Sequence, residues 1–108
     1  MNLGQDIQDD LLYSDELERV TVRDKGNNTT STNVGAVKSS LSDRELMAVG
    51  YEPTDVAWRL VASTCRVVPS QGDFIHDRDG NDWTVLSVAP SMVGNVAISY
   101  RCACRKQV

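Results

Sequence analysis

The chain has 108 residues, of which 41% are apolar, and a formal net charge of −4. That length suits one domain, or a domain with an arm, burying roughly 65% of its unfolded surface. No run approaches the roughly 20 apolar residues of a membrane span.

The charge is unevenly placed. Residues 1–18 hold Asp6, Asp9, Asp10, Asp15, Glu16 and Glu18 and no Lys or Arg, so the rest carries 11 bases against nine of the 15 acids. An acidic arm over residues 1–17 therefore precedes a nearly neutral body over 18–108. This balance argues against tight nucleic-acid binding, which needs clustered bases to neutralise phosphates. The first residues, Met-Asn-Leu-Gly-Gln-Asp, lack a basic region followed by an apolar stretch, so the chain is expected to be made and used in a cytoplasm. Its three cysteines, Cys65, Cys102 and Cys104, are an odd number and argue against a disulfide framework.

Within the arm, Ile7, Leu11 and Leu12 recur at helical spacing. A helix this short is marginal in water, so order is expected only through contact with a partner; the arm reads equally as a solvated tail. Glu18–Arg23 alternates polar and apolar β-branched residues, the pattern of a half-buried strand. Asp24–Asn33 is polar throughout and is expected to be an exposed loop, followed by a weaker strand over Val34–Leu41. Ser42-Asp43-Arg44-Glu45 is a capping box, with Leu46–Val49 after it and Gly50 placed to stop the helix, two turns at most. Tyr51–Asp55, with Pro53, is a connector.

Val56–Ala62 predicts the next strand, with Val56, Trp58, Leu60 and Ala62 on one face, and Cys65–Val68 extends it or forms a separate piece. Two β-compatible runs, Asp73–Asp77 and Asp82–Val88, flank Arg78-Asp79-Gly80-Asn81; Asp-Gly predicts a hairpin with a type I′ turn. Ala89–Asn95 contains Pro90 and a Gly94-Asn95 turn, and Val96–Cys104 closes the chain as a strand with Val96, Ile98, Tyr100, Cys102 and Cys104 on one face. Five to six strands and one short helix predict an all-β fold, a small barrel or sandwich with long loops.

Candidate chemistry is sparse. Cys102-x-Cys104 with Cys65 and His76 would furnish four zinc ligands, but small zinc sites pair cysteines across two to four residues, and a Cys-x-Cys on an apolar strand face reads as core. His76, beside Asp77, is the one base available to a thiolate and reads as an exposed strand residue. Asp77-x-Asp79-Gly80-x-Asp82 puts its glycine too early for a calcium loop and lacks the terminal Glu, so it reads as a turn. Trp58, Phe74, Trp83 and Tyr100 would make a base-stacking platform only beside a basic groove. No enzyme, metal or cofactor is expected.

The order of features carries more. The strand Glu18–Arg23 and its polar loop precede Ser42-x-x-Glu45, Gly50-Tyr51 and Asp55-Val56-Ala57-Trp58. Pro69-x-x-Gly72-Asp73-x-Ile75, Asp79-Gly80-x-x-Trp83-Thr84-Val85 and a last strand with Tyr100 and Cys102 follow. This succession, over residues 18–105, resembles the head-closure, or head–tail joining, proteins of long-tailed bacteriophages. The resemblance implies a virion neck protein that assembles in the host cytoplasm as a ring of about six or twelve copies. The ring would join portal or adaptor to tail, retain packaged DNA, and let DNA pass without specific binding or any membrane contact. Candidate contact residues are Asp9, Asp10, Leu11, Leu12, Asp15 and Glu16 in the arm, and Asn27 and Asn28 in the polar loop. Glu45 and Tyr51 around the helix, and Arg105 and Lys106 at the basic end, complete the set. The alternatives are a tail terminator or tail-completion ring, a small barrel binding single-stranded nucleic acid, and a metal-binding domain.

Overall fold

The computed structural model describes residues 17–26, 30–47 and 50–107. The arm through Glu16, Asn27, Asn28 and the expected end of the helix at residues 48 and 49 lie outside the described residues.

Six strands make one closed antiparallel barrel in the order β1-β2-β3-β6-β5-β4. They are β1 (Glu18–Arg23), β2 (Thr30–Ser40), β3 (Val56–Val61), β4 (Phe74–His76), β5 (Asp82–Val93) and β6 (Val96–Lys106). Of the two expected architectures it is the barrel, closed by the pairing of β1 with β4.

Side-chain alternation explains the closure. Val20 and Val22 of β1, Val34 and Ala36 of β2, Trp58 and Leu60 of β3, Ile75 of β4, Trp83 and Val85 of β5, and Tyr100, Cys102 and Cys104 of β6 fill one core. Each strand offers this set at every second position, so the period of two decides the inside of the barrel. Trp58 and Trp83 meet edge to face at 6.1 Å between ring centroids, and Lys38 Nζ lies 5.8 Å from both rings, a cation–π cover.

A second, smaller cluster lies outside the barrel wall. Leu41, Ala57 and Ala103 pack there with Leu46 and Tyr51, beneath the helical turn α1 (Asp43–Leu46). The capping box forms as expected: Ser42 Oγ accepts the Glu45 amide at 3.2 Å and Glu45 Oε1 accepts the Ser42 amide at 3.0 Å. Gly50 has φ +100°, the left-handed conformation expected of it.

Three expectations are corrected. The polar stretch to Asn33 is not all loop, because β2 begins at Thr30. A bulge opposite Val20 and Val22 absorbs the extra residues, with Asn33 at φ 56°, where Asn is more tolerant than most residues. Ser31 Oγ accepts the Arg66 amide at 3.0 Å and Thr64 Oγ1 accepts the Gly35 amide at 3.0 Å. Polar side chains thus anchor a strand start that hydrophobic pattern cannot signal.

The Asp-Gly turn is also not type I′, since Gly80 (φ 87°) has positive φ and Asp79 does not. The Gly80 amide donates to the Asp77 carbonyl at 3.2 Å and the Asp77 amide to the Asn81 carbonyl at 2.9 Å, the three-residue loop that ends in a left-handed glycine. Third, β5 runs on through Pro90 to Val93. Beyond Val85 it has β6 on one side and, among the described residues, no paired strand on the other, a position where proline's missing N–H is tolerated.

Candidate assembly surface

Three features stand out from the barrel: a segment latched to its wall, a hollow on its outer face, and a two-stranded ribbon. The latched segment runs from Leu41 to Asp55. Arg101 Nη2 donates to Glu45 Oε1 at 2.5 Å. Arg105 donates to both Asp55 oxygens, at 3.0 and 2.9 Å, and to the Gly50 carbonyl at 2.8 Å. Tyr51 Oη lies 2.8 Å from Ser87 Oγ. Both arginines project outward from β6, so one strand holds the segment at two points.

The electrostatics follow from these contacts. The Arg101 guanidinium, with the Ser42 amide, lowers the Glu45 carboxyl to about 2. At Asp55 the hydrogen bonds from Arg105 outweigh the cost of burial and hold the carboxyl below its ordinary range. Glu45, Tyr51 and Arg105, expected to reach partners, are thus brought together and engaged within the chain, whereas Lys106 is exposed.

The hollow, of about 390 Å³, lies on the outer face of β1, β4 and β5, among Thr21, Arg23, Phe74, His76, Asp82 and Gln107. These are the outward partners of the inward Val22, Ile75 and Trp83. His76 Nδ1 is 2.6 Å from Asp82 Oδ1, and Gln107 Nε2 donates to Thr84 Oγ1 at 2.7 Å. Half-buried Phe74 supplies apolar surface between these pairs.

The ribbon consists of β5 beyond Val85 and the start of β6, joined by Gly94-Asn95. Gly94 has φ 60° and Asn95 does not have positive φ, as a type II′ turn requires. β3 pairs with β6 only from Ser99 onward, so among the described residues no strand pairs with either side of the tip. Met92 and Val96, 51% and 46% exposed, stand at that tip, while Val88 and Ala97 pack back on the core. No charged residue occurs between Asp82 and Arg101. Sequence reasoning placed the Gly94-Asn95 turn but left Ala89–Val93, with Pro90, outside any strand and so missed the ribbon; the uncharged run was the available signal.

The residues weighed for chemistry make no group of three or more His, Cys, Asp or Glu able to hold a metal ion among the described residues. Cys102 and Cys104 are fully buried and Cys65 packs at the core edge. Burial pushes the Cys65 thiol up to about 11 and Cys102 to about 12, and raises Cys104 further. His76 faces outward from β4, in the hollow. Asp77 turns inward rather than toward a cation: its carboxylate accepts the amides of Asp79 and Asn81 at 3.0 and 2.9 Å and Trp83 Nε1 at 3.0 Å. Comparison of the chain with protein-family models and with curated proteins finds no match.

Proposed function

We propose that this chain is a structural subunit of the neck of a long-tailed bacteriophage: a ring-forming head-closure protein that joins portal or adaptor to tail and helps retain packaged DNA. The observation that carries the reading is the uncharged ribbon, with Met92 and Val96 exposed, on a barrel whose wall is already closed. An apolar projection on a rigid, self-sufficient body suits protein–protein assembly. The order of sequence features from Glu18 to Cys102 supplies the phage neck as its setting. Function then lies in contacts, and the Leu41–Asp55 segment presents Met47, 86% exposed, as a further contact point.

Gold-labelled antibody against the protein, applied to intact particles of a phage that encodes it, tests the reading. Label is expected at the head–tail junction. Label spread over the capsid, at the distal end of the tail, or absent from particles contradicts it.

A further inference from the structure

We infer that the ribbon tip of one copy seats in the outer hollow of the next, a head-to-tail contact that builds the ring. The inference rests on the assembly reading above and names the two surfaces that meet. Both are shaped for it. Met92 and Val96 form a small apolar knob, and the hollow of about 390 Å³ has Phe74 among its lining residues. A methionine thioether packs well on an aromatic ring, and methionine's flexible side chain adapts to an irregular recess.

Charge complementarity selects the occupant. The knob brings no charge, and the polar groups of the hollow are already answered within the chain: His76 by Asp82, neutral Gln107 by Thr84, and Arg23 is engaged as well. An uncharged apolar insert leaves no ion of the hollow newly unpaired, whereas a phosphate or an acidic peptide would have to compete with these pairs.

Position selects the symmetry. The hollow touches Asp82, the first residue of β5, and the knob stands at its last, Val93. At about 3.3 Å per residue these lie roughly 35 Å apart along the strand. Different patches at opposite ends of one element make a heterologous contact, which closes into a ring or continues as a filament.

Cysteine cross-linking of the purified full chain tests this. The double variant Met92→Cys/Thr21→Cys, oxidised at high protein concentration, is expected to give a ladder of dimers, trimers and larger species, and each single variant only monomer. A second pair, Val96→Cys/Thr30→Cys, with Thr30 also lining the hollow, repeats the test if the first is misfolded by thermal melt. Absence of a ladder from the folded double variants overturns the proposal, as does dimerisation of Met92→Cys alone, which would mean that tips meet tips. The outcomes separate from those of the neck reading: label at the neck without the ladder leaves the neck and removes this contact, and a ladder without label does the reverse.

Discussion

Asp77 is the residue that most constrains the β4–β5 hairpin. Burial alone would raise its carboxyl, but the Trp83 indole and the amides of Asn81 and Asp79 hold it below the ordinary value. Trp83 is therefore fixed by a polar bond as well as by packing, while Trp58, also in the core, has an indole N–H with no partner among the described residues. Replacement by Phe separates the two. Trp83→Phe removes a partner from a buried carboxylate and is expected to cost about 1–2 kcal/mol more than Trp58→Phe, which discards an unsatisfied donor; thermal melts of the two check it. Trp83→Ala, which also empties core volume, is expected to cost about 3–5 kcal/mol, and an unchanged melt would refute the hairpin core. The thiols give a separate check at this scale. With Cys102 and Cys104 buried and all three pKa values raised, native protein at neutral pH is expected to react slowly with a disulfide reagent, at Cys65 first, and all three only on unfolding. Fast native reaction at Cys102 or Cys104 would contradict the placement. The inward faces were legible from period-two alternation. Asp77 was not, because a turn sequence does not say whether its first carboxylate folds under the hairpin or out to solvent.

Among the elements, the Leu41–Asp55 segment is the one held by two ion-pair latches beside its small apolar cluster. Glu45 and Asp55 both have lowered pKa values in the folded chain. A carboxyl depressed by folding adds stability that is complete above its unfolded pKa and is lost as pH falls through the folded value. For Glu45 that window runs from 4.5 down to about 2, with Asp55 shifting stability in the same direction. Hydrogen exchange is expected to show this segment loosening across that range before the barrel strands do; simultaneous loosening would mean that the latch is not separable. The two latches are unequal. Arg105→Ala strands an Asp55 side chain that is 0% exposed and is expected to cost about 2–3 kcal/mol. Arg101→Ala breaks a pair whose side chains are 29% and 32% exposed and is expected to cost about 1 kcal/mol or less; equal melts for the two would contradict the burial argument. The capping box was legible residue by residue, since its partners are three apart in sequence. The latches were not, because Arg101 and Arg105 meet residues about fifty positions away, which only the β3–β6 register brings alongside.

For the whole molecule, a closed barrel carries a latched segment on its wall, a hollow near one end of β5 and an uncharged knob at the other. The fold class was legible because five to six alternating runs separated by turns admit few all-β solutions. The ribbon was legible only in part: Gly94-Asn95 marks its turn, but Ala89–Val93, with Pro90, does not read as a strand, and an edge strand accepts that proline. That misreading hid the surface on which the functional account now rests: a subunit that works by joining others at the head–tail junction. The most direct measurement is inactivation of the gene in a phage that encodes it, followed by electron microscopy of the lysate. The account predicts heads that leak DNA or stay tailless, alongside free finished tails. Complete, infectious virions in normal number would contradict it.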